Sequence, residues 1–371
     1  MKSRRLVLIG GFLGAGKTTL MAQAGRRLAA QGKTVGFITN DQADQLVDTE
    51  MLKRTGLDVK EVAGACFCCK FDELIERGDE LLLEKNPDLL LSEPVGSCTD
   101  LSATVINPIK KFFAEKFRVA PFSVVVDPAR LQQVLSGKVT VFTESVLYIF
   151  AKQMEEADIL VLNKADKLSP GELSELKGAL KAKFPRAEVV ALSAITGEGV
   201  DAWLELIQQD RPAGAHIAEV DYDTYADGEA VLGWLNASAT LHAPAETDWK
   251  SFASGLLKNL KKEFDAEKAE VAHVKLFISA PGTALVANLT STKGLPFVYT
   301  EGTIGDPTRA ARLILNARVH ITPPQLRAAV ERVLATPPLN VRAELGQIDC
   351  FSPGRPQPTH RFSEVVQVRP N

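Results

Sequence analysis

The feature that most constrains the fold is a glycine-rich loop near the start of the chain, at residues 11–18. It reads Gly-x-x-x-x-Gly-Lys-Thr, an apolar run of strand length precedes it, and a helical pattern follows it. Glycines let backbone N–H groups converge on phosphate oxygens, and a helix N-terminus favours anions. We therefore predict a strand, a phosphate loop and a helix. The residues expected to contact a nucleotide are Gly11, Gly14, Ala15, Gly16, Lys17, Thr18 and Thr19.

Two side chains of this loop have predicted roles. Lys17 would place a positive charge on the β- and γ-phosphates, and the Thr18 hydroxyl would hold Mg²⁺. Three other interpretations compete, and the simplest is a chance glycine turn. A dinucleotide-binding turn would need a third glycine where Thr19 stands. A secretion signal, suggested by the basic residues before the apolar run, would need a cleavage site of small residues, and none closes the run.

Composition narrows the class of protein. A chain of 371 residues is long enough for two domains with their own cores. The formal net charge of −3 argues against a protein that coats nucleic acid, and the basic cluster at residues 110–118 is expected to be a solvated face. The sequence contains no run of about 18 uncharged apolar residues, which is the length that a membrane-spanning helix needs. We expect a soluble cytoplasmic protein that binds neither nucleic acid nor membrane.

Strand and helix signals alternate over the first two hundred residues. Continuous apolar strands separated by helices indicate a mostly parallel sheet covered on both faces, the α/β fold of a P-loop NTPase. Polar residues gather just past the strand ends, where such sheets bind ligands. Beyond the first strand we predict a helix at 74–83 and strands at 33–39, 88–92, 122–126, 159–162 and 188–192.

The pattern changes near residues 211–214, where Arg-Pro-Ala-Gly indicates a linker. Beyond it the order β-α-β-β-(β)-α-β predicts a smaller α+β domain of split β-α-β type. Its predicted strands are 230–241, 271–279, 284–289, 297–300, 312–320 and 341–348, with helices at 248–264 and 324–334. The predicted division is a P-loop GTPase domain at 1–212, a linker at 213–228, an α+β domain at 229–352 and a proline-rich tail at 353–371.

A second motif, Asn163-Lys164-Ala165-Asp166, directly follows a predicted strand. The Asp166 carboxylate can accept two hydrogen bonds from the N1–H and N2–H₂ groups of guanine, a pair that adenine cannot offer. The stem of Lys164 can lie over the base. Ser193-Ala194, after the last strand, would be the companion loop of the base. Together with the phosphate loop, these residues predict GTP as the nucleotide.

Two acidic segments follow predicted strands. Glu93 could hold Mg²⁺ or orient the attacking water, and Gly96 would let the backbone approach the γ-phosphate. The alternative for this segment is a simple strand-end turn. Asp41, Asp44 and Asp48 could be metal ligands, Mg²⁺ ligands or water-positioning groups, or they could only cap the following helix. The predicted catalytic residues are Lys17, Asp41 and Glu93.

Three of the five cysteines lie within four positions, as Cys66-x-Cys68-Cys69. Such spacing lets thiolates converge on one Zn²⁺-like ion. A thioredoxin-type motif should open the first helix of its fold, where this chain has the phosphate loop, and buried apolar cysteines would not cluster so tightly. Cys98 lies just past Glu93-x-x-Gly96, so that it could face the same cleft as an extra thiolate ligand, but we expect a small buried residue there. We expect Cys350 to be structural. The predicted metal-binding residues are Cys66, Cys68, Cys69, Thr18, Asp41, Asp44 and Glu93.

These motifs, in this order over residues 1–212, resemble the CobW-type metallochaperone GTPases, which are related to the urease and hydrogenase nickel-insertion GTPases. The Cys-x-Cys-Cys element makes the resemblance specific. The chain departs from the family where Asn40-Asp41-Gln42-Ala43-Asp44 replaces Asn-Glu-Phe-Gly-Glu, and Gly64-Ala65 replaces Asn-Gly before the first cysteine. It also has no histidine-rich loop.

The resemblance implies a GTPase that uses GTP and Mg²⁺, binds a transition metal (zinc first, then cobalt or nickel) and delivers the metal, or a metal cofactor, to a client protein. A nucleotide- or metal-dependent homodimer would suit the family. The alternative is a G-protein chaperone that protects or reactivates a cofactor-dependent enzyme, such as a cobalamin enzyme, without carrying metal itself. A nucleotide kinase is disfavoured because kinases of small substrates rarely select guanine.

Overall fold

The computed structural model describes residues 3–42, 47–53, 56, 58–135, 142–291, 296–300, 305 and 307–367. The chain forms two compact units. The first consists of Met1–Gln42, Thr55–Tyr225 and Arg355–Asn371, and the second of Ala43–Arg54 and Ala226–Gly354. None of the helices in the described part of the chain has the length and apolarity that a membrane span requires.

A parallel sheet forms the centre of the first unit, as the sequence predicts. Seven strands lie in the order β3-β2-β4-β1-β6-β7-β8, and short β5 also pairs with β1. Every pairing is parallel. The strands are β1 Arg4–Gly10, β2 Val35–Asp41, β3 Asp58–Ala63, β4 Leu89–Glu93, β5 Phe117–Val119, β6 Ser123–Val126, β7 Ile159–Leu162 and β8 Glu188–Ala191.

Helices connect these strands, and apolar residues bury the sheet on both faces. The helices of the first unit are α1 Lys17–Ala30, α3 Phe71–Lys85, α4 Asn107–Phe112, α5 Pro128–Leu135, α6 Glu144–Glu155, α7 Pro170–Lys183 and α8 Val200–Gln208. Helix α4 continues a π-helix over Ser102–Ile106, a form that often marks functional sites. Strands β2 and β4 are neighbours between β3 and β1, and all four run parallel, so the loops after them open at one edge of the sheet.

The second unit has a six-stranded antiparallel sheet in the order β12-β11-β10-β13-β9-β14. Strand β13 lies between β9 and β10, so the β9-α10-β10 unit is split, as predicted. Apolar residues of α10 and α11 pack on the sheet as one core. The elements are β9 Gly233–Thr247, α10 Trp249–Ala266, β10 Glu270–Ala280, β11 Thr283–Leu289, β12 Phe297–Thr300, β13 Thr308–His320, α11 Pro323–Ala335 and β14 Arg342–Phe351.

The structure assigns three segments to its two units differently from the predicted domain division. Helix α9, Tyr222–Ala230, begins within the predicted linker at 213–228 and ends beyond it, and the division between the units falls within this helix. Helix α2, Val47–Lys53, belongs to the second unit, where its first amide donates to Asn316 Oδ1 at 3.0 Å. The proline-rich tail groups with the first unit because its backbone is hydrogen-bonded there.

Candidate functional site

The phosphate loop lies between β1 and α1, as predicted. Gly11 has a φ of +127°, and a β-carbon there would lie 2.3 Å from the carbonyl oxygen of Val125. A residue with a side chain would therefore push the loop away from β6. The Lys17 ammonium donates to the Gly11 carbonyl at 2.9 Å. This bond holds the lysine head over the loop, where a phosphate group would sit.

The loop after β4 meets the phosphate loop through Glu93 and Gly96. The Thr18 hydroxyl donates to Glu93 Oε1 at 3.1 Å, and the Lys17 ammonium lies 3.6 Å from the same oxygen. A β-carbon at Gly96 would lie 2.8 Å from the Leu13 side chain and 3.1 Å from Lys17 Nζ. The structure thus brings together the predicted phosphate and Mg²⁺ residues of two distant segments.

The base motif also meets the phosphate loop. Asn163 donates from its amide to the Ala15 carbonyl at 2.8 Å and accepts from the Ala194 amide at 3.0 Å. Lys164 donates to the Gly14 carbonyl at 2.8 Å and pairs with Asp127. Burial lowers the pKa of Lys164. Burial alone would raise the pKa of Asp127, but the Lys164 ammonium brings it below its usual range.

The remaining predicted nucleotide residues lie near these contacts. Asp166 is exposed in a 3₁₀ helix over Ala165–Lys167, which suits a carboxylate that meets a ligand from solvent. Ser193 is buried, and its hydroxyl accepts the Thr196 amide at 3.1 Å. Thr19 lies in the first turn of α1.

The three acidic residues after β2 have different positions. Asp41 ends β2, and its carboxylate accepts the Gln42 amide at 2.6 Å. Its predicted role as a Mg²⁺ or metal ligand stays a prediction. Asp44 lies outside the described residues. Asp48 is in α2 and pairs with Lys275 inside the second unit.

Asn40, at the end of β2, holds the cysteine loop in place. Its amide donates to the carbonyls of Val62 and Ala65 at 2.9 and 2.7 Å, and its carbonyl oxygen accepts the Phe67 amide at 2.8 Å. The Lys70 ammonium closes the loop through the Ala63 carbonyl at 2.6 Å. The residue that fixes the cysteines is therefore the one directly before Asp41.

The three clustered thiols converge, as predicted. Cys66 Sγ lies 2.9 Å from Cys68 Sγ and 3.3 Å from Cys69 Sγ, and the last two are 3.8 Å apart. Among the described residues, these three cysteines are the group of potential ligands whose donor atoms lie within 4.8 Å of one another. Cys66 and Cys68 are buried, whereas Cys69 is partly exposed.

The thiols also shift one another's pKa values. Hydrogen bonds from the thiols of Cys68, Cys69 and Cys98 hold the pKa of Cys66 well below its ordinary value. The Cys66 sulfur in turn raises the pKa of Cys68, and it raises that of Cys69 to about 11. A metal ion bound there would displace the thiol protons.

The family model described as "CobW/HypB/UreG, nucleotide-binding domain" matches residues 5–191, which contain both loops and the base motif. The chain belongs to this family. The family resemblance predicted from the sequence is thereby confirmed.

The chain is also similar to named relatives and to a solved structure. The chain is 27% identical over 245 residues to the zinc chaperone CobW of Pseudomonas aeruginosa, covering 56% of this chain and 62% of that protein. It is 31% identical over 173 residues to the zinc chaperone YeiR of Escherichia coli, covering 45% and 48%. The matched region thus spans about half to three fifths of the relatives. The zinc-bound YjiA GTPase of E. coli has 16% identity and a TM-score of 0.35, covering 90% and 99%.

In this CobW-type domain the C-terminal tail lies on the cysteine loop. The Gln357 amide donates to Cys69 Sγ at 3.2 Å, and the Thr359 amide donates to the Cys68 carbonyl at 2.8 Å. His360 packs edge-on against Phe71, with ring centroids 5.0 Å apart. Backbone amides that bond thiolates are common around metal ions. The tail, which we expected to lie outside the core, contributes to the surroundings of the thiols.

Sequence reasoning did not predict the contacts of two other residues. Asp127 follows β6 and looks like an ordinary strand-end carboxylate, but it pairs with Lys164. Gln153, on α6, donates to the carbonyls of Gly96 and Cys98 at 3.0 and 2.8 Å. Cys98 is buried, as expected.

Proposed function

We propose that this protein is a GTP-hydrolysing metallochaperone that binds a transition metal through Cys66, Cys68 and Cys69 and delivers it, or a cofactor containing it, to a client protein. One observation carries the proposal. The loop with three converging thiols is hydrogen-bonded to Asn40, while the Thr18–Glu93 contact joins the phosphate loop to the neighbouring strand β4. Because strands β2 and β4 are parallel neighbours, the cysteine loop and the Thr18–Glu93 contact lie at one end of the same sheet, which supports the proposal.

The first element of the proposed mechanism is nucleotide binding. The amides of the phosphate loop would receive the phosphates, and Lys17 would neutralise charge at the β- and γ-positions. The Thr18 hydroxyl and the Glu93 carboxylate, already in contact, are hard oxygen donors of the kind that Mg²⁺ prefers. Asp41 and Glu93 would position the attacking water.

The second element is base selection. Asp166 would accept both N–H groups of the guanine edge. Asn163 and Lys164 tie the base motif to the carbonyls of Ala15 and Gly14, so that base and phosphate contacts form together. The Ser193-Ala194 loop is held to the same motif by the Ala194–Asn163 hydrogen bond.

The third element is the metal, which is the cargo of the proposed reaction. Thiolates select soft or borderline ions, so that Zn²⁺ fits best and Co²⁺ or Ni²⁺ are alternatives. The names of the relatives, "zinc chaperone", support zinc. We place the protein in the cytoplasm, with a client metalloprotein or cofactor-dependent enzyme as its partner and a homodimer as one assembly that nucleotide or metal could induce.

Coupling between the sites makes the proposal testable. If GTP and metal bias the same loops, each must change the affinity of the other by the same factor. A GTP titration of metal-free and zinc-loaded protein should give different dissociation constants, and zinc titrations with and without a non-hydrolysable GTP analogue should differ by that factor. The same titrations with cobalt and nickel in place of zinc would rank the affinities of the protein for the three metals. Equal GTP affinities would refute the coupling, and a zinc affinity unchanged by Cys66→Ser would refute the metal site.

A second candidate function is a G-protein chaperone that guards a cofactor-dependent enzyme and carries no metal. The observation that favours it is the distance of 2.9 Å between the sulfur atoms of Cys66 and Cys68, an arrangement suited to a redox-sensitive pair. Purified protein without metal that keeps full GTP hydrolysis after thiol blocking would support this alternative. Stoichiometric metal, lost on thiol blocking, would support the metallochaperone.

A further inference from the structure

Residues 356–362 of the proline-rich tail, which we call the cover segment, lie along the cysteine loop. Prolines at 356 and 358 have no backbone N–H and disfavour helix and strand, and residues 352–358 form neither. Gln357 and Thr359, which alternate with these prolines, keep their N–H groups, and both N–H groups donate to the cysteine loop. The sequence thus restricts the segment to an extended form before it binds, which reduces the entropy lost on docking.

Cys69 is the thiol residue against which the cover segment lies most directly. Cys69 is partly exposed, whereas Cys66 and Cys68 are buried. The Gln357 amide donates to Cys69 Sγ at 3.2 Å, and the Thr359 hydroxyl donates to the Cys69 carbonyl at 3.3 Å. Of the three clustered cysteines, the one that solvent reaches is therefore the one that the segment contacts.

An ion pair anchors the segment beyond the thiols. Arg361 Nε donates to Asp100 Oδ2 at 2.7 Å, and the Tyr222 hydroxyl donates to the same oxygen at 2.9 Å. The Asp100 side chain is fully buried, and its other oxygen has no hydrogen-bond partner among the described residues. A buried carboxylate needs a compensating charge, and Arg361 supplies it. The strongest attachment of the segment is therefore at this end.

The remaining contacts of the segment are shallower. The His360 ring packs against Phe71, the first residue of α3, and against Phe112, with centroids 5.0 and 5.3 Å apart. Phe362 packs against Phe112 at 5.9 Å. Phe112 nevertheless keeps 48% of its surface exposed. Lifting the segment would uncover only a small apolar surface, so its closed position depends mainly on the Arg361 anchor.

We propose that the cover segment is a latch over the thiol site, held closed by the Arg361–Asp100 ion pair, and that metal enters and leaves past Cys69 when the latch opens. The inference rests on the proposed function for the metal, whereas the closed position of the segment is testable without metal. A cover that must leave before the metal passes slows binding and release together. The latch therefore controls the rate of metal exchange, and the thiols remain the ligands.

The experiment measures how fast the thiols react and how fast zinc leaves. Metal-free full-length protein would be treated with iodoacetamide, and modification at Cys69 would be followed by mass spectrometry. Arg361→Met removes the anchor, and Asp100→Asn with Arg361→Met removes it without leaving a buried charge uncompensated. The matched control is Arg355→Met, because Arg355 belongs to the same tail but pairs with Asp223 where both side chains are exposed.

We expect modification at Cys69 to be at least about tenfold faster in both anchor variants, because the loss of a hydrogen bond between charged groups raises the population of the open form by about that factor. Arg355→Met should react like the wild type. Zinc-loaded protein mixed with excess chelator should release zinc faster by a similar factor in the anchor variants only.

Wild-type rates of modification in both anchor variants would overturn the latch. Equal acceleration at Cys69 and at buried Cys98 would overturn it too, because general unfolding would then explain the result. Faster modification at Cys69 with unchanged zinc release would overturn the role of the latch in metal exchange. Failure of the wild type to retain zinc would overturn the proposed metal function, whereas the modification rates would still test the cover over the thiols.

Discussion

The phosphate loop and the cysteine loop both follow a strand of the same sheet and both contain glycines, but they are built in opposite ways. The phosphate loop is shaped mainly by its own backbone and by Lys17, which bonds Gly11 within the loop. The cysteine loop is shaped from outside, by Asn40 on β2 and by Gln357 of the tail. Backbone geometry suffices where every ligand oxygen has the same chemistry, whereas a thiolate site also needs its charge tuned by neighbours.

The strongest way to break this comparison is to disable the phosphate loop alone. Lys17→Ala removes the charge aimed at the β- and γ-phosphates, and we expect GTP hydrolysis to fall by about a hundredfold or more, because an electrostatic contact of this kind contributes about 3 kcal/mol. Zinc stoichiometry should not change. Single-turnover hydrolysis and zinc content of the same preparation measure both. Arg26→Ala, an exposed cation on the same helix, is the control. Loss of zinc with Lys17→Ala would show that the two loops are not built independently.

The next prediction concerns residues 99–102, which follow the loop after β4. Glu156 is fully buried below the residues that follow Cys98, where it accepts the Ser102 amide at 2.8 Å and the Thr99 hydroxyl at 3.3 Å. Burial raises its pKa to about 8, and the nearby Asp100 carboxylate adds to the rise. Between pH 4.5 and 8 the folded state therefore binds a proton that the unfolded state has lost. The free energy of unfolding should fall as pH rises through this window, by at most about 1.4 kcal/mol per pH unit.

Glu156→Gln keeps the shape of the side chain and replaces the titratable carboxyl group with an amide that does not titrate. We expect its unfolding free energy to depend less on pH than that of the wild type across pH 5–8, with a total difference on the order of a few kcal/mol. Urea titrations at fixed pH values measure the difference, and Glu155→Gln, on the same helix turn but partly exposed, is the control. Parallel curves for wild type and Glu156→Gln would contradict a protonated Glu156 at neutral pH.

The same comparison explains what could be predicted from the sequence. The phosphate loop, Asn163–Asp166 and Glu93 were predictable because each obeys a local pattern of residue types beside an apolar strand. The thiols were predictable from their spacing. Asn40, Gln153 and Gln357 were not, because their roles depend on contacts between segments far apart in sequence. Helix α2 likewise grouped with the second unit through Asn316, which no local pattern indicates.

A smaller effect should sharpen the account of base selection. Asp166→Asn exchanges a carboxylate that accepts two hydrogen bonds for an amide that accepts and donates. We expect GTP affinity to fall about 10- to 100-fold, since hydrogen bonds to charged groups contribute about 1.5–3 kcal/mol, while xanthosine triphosphate gains affinity. Competition between the two nucleotides on wild type and variant measures the exchange. An equal loss for both nucleotides would mean that Asp166 supports the loop without reading the base.

The smallest expected effect isolates the external support of the thiols. Gln357 offers a backbone N–H to Cys69 Sγ, and its side chain is exposed. Gln357→Pro removes that donor, whereas Gln357→Ala keeps it and removes only the side chain. We expect zinc affinity to fall by up to about tenfold in the proline variant and to stay unchanged in the alanine variant, because an N–H donor stabilises the thiolate that holds the metal. A chelator competition measures both. Equal affinities in the two variants would mean that the tail covers the thiols without tuning them, and the cysteine loop would then resemble the phosphate loop more than the structure suggests.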